Sequence, residues 1–163
     1  IALIVVWFAI LVLMPKQELY YKLEEELAKH EVKLNEEKID EGFFSLNLHQ
    51  VTVYFKGIPV VTIEEMDLCT LLFYSGLELQ GVHVDDSLKS MVPQETQKAF
   101  LSHSILSPLK VSLDAQGSFG GVTGVIDLNA RNVHLDFNES KHIEMLKPQL
   151  KKSEKGWTYE TSF

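Results

Sequence analysis

Strict alternation of apolar and polar side chains is the feature that most constrains how this chain can fold. Small or apolar residues occupy every second position in residues 109–115 and again in residues 122–130. Because successive side chains of a strand point to opposite faces, this period of two predicts two strands, each with one packed and one wet face. Between them, residues 117–121 are rich in glycine, which tolerates positive φ, and this predicts a hairpin turn.

The same period of two recurs along most of the chain after residue 31. It predicts further strands within residues 32–34, 44–55, 61–71, 77–84, 133–137 and 156–163. At His49 and Gln50 the apolar positions change from even to odd numbers, and a bulge there would keep one face inward. Residues 56–59, Lys-Gly-Ile-Pro, predict a turn, and Gly81 predicts a bend within a strand.

A period near four replaces the alternation in residues 16–30. Leu19, Leu23 and Leu27 recur at every fourth position, with Tyr20 beside the first and charged residues on the other faces. This spacing predicts an amphipathic helix. Its apolar side has two candidate roles. Leu19, Tyr20, Leu23 and Leu27 could form a stem that contacts partner proteins, or the helix could pack on the sheet of its own chain.

Two further helices are predicted where the alternation is interrupted, a short insert over residues 94–103 and a late helix over residues 139–152. Their apolar residues are Ala99, Phe100 and Leu101 in the insert, and Ile143, Leu146 and Leu150 in the late helix. Pro93 would separate the insert from a preceding turn, and Pro148 would bend or end the late helix. The predicted fold class is α+β and mostly β: a curved antiparallel sheet of about six to eight strands, without the βαβ rhythm of nucleotide-binding folds.

An unbroken apolar run opens the sequence. Residues 1–14 are IALIVVWFAILVLM, in which only the Trp7 indole nitrogen is polar. A bilayer span needs about 20 apolar residues, but the sequence starts with Ile rather than Met, and earlier residues could complete a span. The run predicts a transmembrane anchor over residues 1–15. Its apolar side chains are Ile4, Val5, Val6, Trp7, Phe8, Ile10, Leu11 and Leu13. A signal-peptide core, for which the small-x-small cleavage site is missing, and a buried core helix are the alternatives.

Charge predicts the orientation and the division of the chain. Residues 16–38 carry more acids than bases, and the positive-inside rule disfavours leaving such a segment in the cytoplasm. The expected organisation is an anchor over 1–15, a stem helix over 16–30 and a β-rich extracytoplasmic domain over 31–163.

Composition argues against several classes of chemistry. The net charge is -8 without a cluster of Lys or Arg, which argues against nucleic acid as a partner. Cys69 is the only cysteine, so neither an intrachain disulfide nor a Cys-based zinc site can form. The best metal-ligand group, His83 with Asp85 and Asp86, is explained more simply as exposed polar alternation. The sequence predicts no catalytic, cofactor-binding or metal-binding residue, and therefore a protein that is not an enzyme.

One hairpin carries a family resemblance. Residues 113–128, LDAQGSFGGVTGVIDL, resemble the A-x-G-x-x-G-x-x-G-x-hydrophobic-x-L hairpins of bacterial AsmA-like proteins and of the related N-component of type II secretion systems. Residues 44–53 resemble their early strand, and the common plan covers about residues 1–137. The resemblance implies a bacterial inner-membrane anchor, a body in the periplasm and other protein subunits as partners. It brings no catalytic residues with it.

Two functions are expected from these observations. The first is a non-enzymatic structural or assembly component of an envelope machine such as a secretion system, pilus or flagellar motor, docking its neighbours through strand edges or the stem. The second is a module that binds lipid or another hydrophobe, in which a curved sheet shelters acyl chains. The second function requires an apolar inner face that the protein itself leaves unfilled.

Overall fold

The computed structural model describes residues 16–71, 73–88, 95–138, 143–144, 146–153 and 156–162. These ranges contain one α-helix and eleven strands, which form a single antiparallel sheet. The elements are α1 Lys16–Lys29, β1 Val32–Asn35, β2 Lys38–Glu41, β3 Ser45–Phe55, β4 Ile58–Leu71, β5 Tyr74–Val84, β6 Glu95–Ser104, β7 Lys110–Gly117, β8 Gly120–Asp127, β9 Asn132–Phe137, β10 Lys151–Ser153 and β11 Gly156–Ser162.

The strands follow one another as a meander. Their order in the sheet is β1-β3-β4-β5-β6-β7-β8-β9-β11-β10, and β2 pairs with β3 along the same edge as β1. Two predicted turns are confirmed. Lys56 and Gly57, with φ of 52° and 81°, join β3 to β4, and this backbone suits the twist of a two-residue hairpin. Ser118 and Phe119 join β7 to β8.

A line of irregular positions crosses four neighbouring strands. The pairing of β3 with β4 passes over Gln50 and Glu64, and that of β4 with β5 passes over Glu64 and Gly81. The line continues to Gln97 in β6, where the register shifts against β7. Gln50 and Gly81 both have positive φ, of 52° and 60°. The position predicted as a bulge in β3 is therefore irregular but has no register shift; the register of β3 against β4 shifts at Val53 and Tyr54 instead. The irregular position is part of a crease through β3 to β6, which keeps the apolar residues on either side of it on one face.

The sheet has one apolar face with two hydrophobic clusters. The first cluster is built on β3 and β4 from Leu46, Leu48, Val51 and Ile63, and Tyr20 of α1 packs onto it. The second is built from β6 to β9, and Ile143 packs onto it. Leu79 of β5 contacts both clusters. The meander therefore has a continuous apolar face that is covered at one place by α1 and at another by the segment around Ile143.

The sheet curls toward its apolar face. Adjacent strands lie about 4.8 Å apart, so β1 and β7, five steps apart in the sheet, would lie roughly 24 Å apart if the sheet were flat. A single cavity is nevertheless lined by Val32 of β1 and by Phe119 in the turn after β7. Curling brings the two ends of this surface toward each other and turns the apolar face into a trough.

The two later helices of the sequence prediction were wrong within the described ranges. The predicted insert is β6, paired on both sides with β5 and β7. Ala99 is buried and Phe100 half-buried on opposite faces, so sheet pairing overrides the helical character of this segment. In the predicted late helix, residues 146–153 hold a short 3₁₀ turn, Lys147–Gln149, followed by β10. Pro148 lacks the N–H group that a longer helix would need. Residues 139–142 lie outside the described residues.

The predicted N-terminal transmembrane helix is not supported. Throughout the described ranges, no helix is long and apolar enough to cross a membrane. Their one α-helix, α1, has 14 residues and is rich in Glu and Lys. The predicted anchor, residues 1–15 with the apolar set from Ile4 to Leu13, lies outside the described residues. The fold class is corrected to a mostly β chain with one antiparallel sheet and one short helix.

Candidate functional site

Two neighbouring cavities lie over the apolar face. The first, called here the helix-side cavity, has a volume of about 630 Å³. Its lining residues are Val32, Val53, Phe55, Val60, Val61, Val84, Leu88, Thr96 and Phe119. The second, the tail-side cavity, has a volume of about 300 Å³. It is lined by Leu113, Ala115, Phe119, Val122, Leu135, Phe137, Leu146, Gln149, Leu150 and Tyr159. Phe119 borders both cavities.

The walls of both cavities are almost entirely hydrocarbon. Thr96 is the one polar side chain among the described residues that line the helix-side cavity, and Gln149 and Tyr159 are the two polar ones around the tail-side cavity. The backbone groups of the strands beneath are directed along the sheet, into the pairing with neighbouring strands. A ligand in these cavities would find few hydrogen-bond partners, so a peptide backbone or a sugar would lose its contacts with water without replacement.

Phe119 is held in place by the start of β6. The backbone N–H of Ser118 donates a hydrogen bond of 3.0 Å to the carbonyl oxygen of Glu95, and the Ser118 hydroxyl donates a second one of 3.2 Å to the same oxygen. Gly117 lies so close that an added Cβ would stand 2.7 Å from the Phe119 ring and 2.4 Å from the Glu95 carbonyl oxygen. The glycine of the hairpin thus allows the Phe119 ring, 6% exposed, to turn onto the apolar face.

The segment after β9 covers the tail-side cavity. Leu146 and Leu150 line this cavity, and the fully buried Ile143 belongs to the cluster beneath it. The Lys147 ammonium lies 5.9 Å from the centre of the Trp157 ring, a cation–π contact that ties the segment to β11. The apolar set predicted for a late helix therefore does pack on the sheet, although the described backbone there forms a short 3₁₀ turn and no α-helix.

The predicted stem residues divide between the core and the surface. Tyr20 is 3% exposed, and its hydroxyl donates a hydrogen bond of 2.9 Å to Glu36 Oε2. Burial and the nearby Glu36 raise the pKa of Tyr20 well above its usual range. Leu23 is exposed and Leu27 is half-buried. The Leu19 side chain lies outside the described part of the chain. Tyr20 thus attaches α1 to the sheet of its own chain, and Leu23 is the exposed residue among the described side chains of the set.

The outer face of the sheet is polar. Asp67 lies between Asn47 on β3 and Glu78 on β5, and burial, with Glu78 and Glu65 nearby, raises its pKa. The recess beside it measures about 40 Å³, which is enough for a water molecule and too small for a substrate. Among the described residues, no group of three or more His, Cys, Asp or Glu could hold a metal ion.

The glycine-rich hairpin also borders a recess of about 510 Å³ on the outer face. Its polar lining residues are Gln97, Asp114, Gln116, Thr123 and Asn138. Among the described residues that line this recess, none is basic, whereas a phosphate-binding loop supplies positive charge or a helix N-terminus. The described lining of this recess therefore lacks the chemistry for binding an anion, and residues 117–124 also lack the Lys-Ser/Thr pair of a P-loop.

A second apolar surface lies at one end of the sheet, where four chain reversals lie side by side. Hydrogen bonds between backbone groups link them in series: Thr70 N–H to the Phe44 carbonyl, Ile105 N–H to that of Phe73, and Leu128 N–H to that of Leu109. Large apolar side chains project from these turns, and we call this surface the apolar rim. Its exposed members are Phe43, Leu71, Phe73, Tyr74, Ile105, Leu106, Leu109 and Leu128.

No protein-family model, curated protein or solved structure matches this chain. Sequence reasoning did not identify the cavity residues as a site, because alternation predicts which side chains point inward and not whether anything packs against them. The signal that was present is the set of inward apolar residues on several adjacent strands, including Val53, Val61 and Val84.

Proposed function

We propose that this chain is a non-enzymatic hydrophobe-binding module that shelters an acyl or alkyl chain on the apolar face of its curled sheet. The observation that carries the proposal is the pair of neighbouring hydrocarbon-lined cavities of about 630 and 300 Å³. Volumes in this range are those of ordinary small-molecule sites. The resemblance of residues 113–128 to the hairpins of bacterial AsmA-like proteins is a further support for this proposal.

The chemistry of the walls selects the class of ligand. Each methylene group moved from water to such a wall contributes about 0.8 kcal/mol, and a chain of methylene groups needs no hydrogen-bond partner. Ligands whose middle part is polar would lose more by desolvation than they gain. We therefore expect fatty acids and related amphiphiles to bind with their hydrocarbon part over the apolar face and their polar group toward solvent.

A charge placed in the wall should weaken binding. Val84 lines the helix-side cavity near the end of β5. We expect Val84→Lys in the full chain to lower the affinity for a fluorescent fatty acid by at least about tenfold, because the ammonium group must be desolvated when the hydrocarbon binds. The measurement is a fluorescence titration, accompanied by mass spectrometry of the hydrophobes that copurify with the native protein.

His83→Lys is the matched control. His83 is the neighbouring residue of the same strand, points to the opposite face and lies 3.4 Å from Glu64, so a lysine there keeps a partner of opposite charge. Its affinity should stay within about twofold of that of the native chain, since no wall of the cavity changes. Absence of any bound or titratable hydrophobe in the native chain, or equal affinities of both variants, would reject the proposal.

The apolar rim favours a second candidate function, a component of a larger protein assembly. Leu106 is 89% exposed, and seven other large apolar side chains project from the same four connected turns. Large exposed apolar side chains that are grouped at one end of a sheet mark interaction sites. In this candidate, the chain docks a neighbouring subunit of a bacterial envelope machine through its rim.

Photo-crosslinking distinguishes this role from hydrophobe binding. A photoreactive residue at Leu106 should give a protein adduct of one defined mass in living cells, because a docked subunit would cover that side chain. The same residue at Glu65, on the polar outer face, should give none. Lack of a defined protein adduct at Leu106, or an identical pattern at both positions, would contradict the assembly role.

A further inference from the structure

We infer that Phe119 is a partition between the two cavities and sets the length of the hydrocarbon chain that the protein accepts. The inference rests on the proposed function and makes it more specific. Phe119 is the one residue that borders both the helix-side and the tail-side cavity within the described part of the chain. Its ring is buried, and it belongs to the hydrophobic cluster of the tail-side cavity.

The hairpin places the Phe119 ring in the trough, and the ring leaves part of the trough open. Phe119 is the second residue of a two-residue loop, and the two hydrogen bonds from Ser118 to the Glu95 carbonyl fix that loop against β6. The ring therefore enters from the end of β7 and β8, above Ala115 and Val122, whose side chains are smaller. Ala115 and Val122 line the tail-side cavity, and Thr96 lines the helix-side cavity.

The partition predicts a cut-off in chain length. A short hydrocarbon chain fills one cavity. Each added methylene group that contacts an apolar wall raises the affinity by roughly fourfold, the equivalent of 0.8 kcal/mol. Once that cavity is full, further methylene groups meet the Phe119 ring and remain in water. Affinity should then stop rising with chain length. Removal of the ring joins the cavities and moves the cut-off to longer chains.

The experiment is a titration of the full chain with saturated fatty acids from octanoate to palmitate. In Phe119→Ala, the ratio of palmitate affinity to laurate affinity should rise by at least about tenfold over that of the native chain. Because loss of a buried ring can prevent folding, Phe119→Leu is measured as well. Its smaller side chain should shift the same ratio in the same direction by a smaller factor.

Phe100→Leu is the control for the loss of a ring of the same size elsewhere in the sheet. Phe100 is half-buried on the face of β6 opposite Ala99 and lines neither cavity. Its profile should keep the native cut-off to within about one methylene group. If the folded Phe119 variants keep the native profile, or if Phe100→Leu shifts it equally, Phe119 is not the partition, while the proposed function survives. Failure of the native chain to bind any fatty acid of the series would reject both.

Discussion

Replacing Gly117 by alanine is expected to destabilise the protein by about 3 kcal/mol, because the new methyl group has no space between the backbone of β6 and the Phe119 ring. An added Cβ would stand 2.4 Å from the Glu95 carbonyl oxygen and 2.9 Å from the Thr96 Cα. Both atoms belong to β6, which is paired on both sides and cannot move away without breaking its hydrogen bonds. Urea unfolding monitored by circular dichroism would measure the loss.

Gly121→Ala is the matched control in the same hairpin. A Cβ at Gly121 would meet no atom within 4 Å, and its φ lies outside the left-handed region. Its stability should stay within about 0.5 kcal/mol of that of the native chain, since alanine also restricts the unfolded state. Equal stabilities of the two variants would show that β6 does not lie against the hairpin, and the position of Phe119 would then be wrong as well.

The second large effect is expected at the contact between α1 and the sheet. Among the described side chains of α1, Tyr20 is the one that enters the hydrophobic cluster of β3 and β4. Tyr20→Ala removes a buried ring and the hydrogen bond to Glu36, and the expected loss is about 3–4 kcal/mol in the free energy of unfolding. Thermal and urea unfolding of the full chain would measure it.

Tyr21→Ala and Tyr20→Phe separate the contributions to this loss. Tyr21 is 50% exposed, so its truncation should cost less than about 1 kcal/mol. Tyr20→Phe keeps the ring and removes the 2.9 Å hydrogen bond to Glu36, at a cost of about 1 kcal/mol. A Tyr20→Ala variant no less stable than Tyr21→Ala would mean that α1 is not packed on the sheet and that its apolar side is free for a partner.

These variants also probe how the trough is built. Gly117 and Phe119 form one end of it, and α1 covers the other part of the same face through Tyr20. Loss of either contact should reduce fatty-acid binding in proportion to the unfolded fraction. The Val84→Lys variant should differ from them, because it is designed to lower affinity in a folded protein.

Much of the sheet could be predicted because its signals are local. The alternation around residues 117–121 depends only on neighbouring residues, and it predicted β7, β8 and their hairpin correctly. The change from even to odd apolar positions at Gln50 predicted an irregular position in β3, where Gln50 has a φ of 52°. The period of four predicted the helix that the structure places at Lys16–Lys29.

The sequence by itself therefore determined which face of each alternating strand is apolar, that residues 56–57 and 117–121 form turns, and which segment near the start is helical. Only the tertiary structure decided that Glu95–Ser104 is a strand, that the crease continues from Gln50 to Gln97, and that Phe119 lies between two cavities. Propensity and periodicity arise between residues a few positions apart, whereas pairing and cavities depend on residues that are distant in sequence. Residues 97–101 favour a helix on their own, and the backbone groups of β5 and β7 on either side make them a strand.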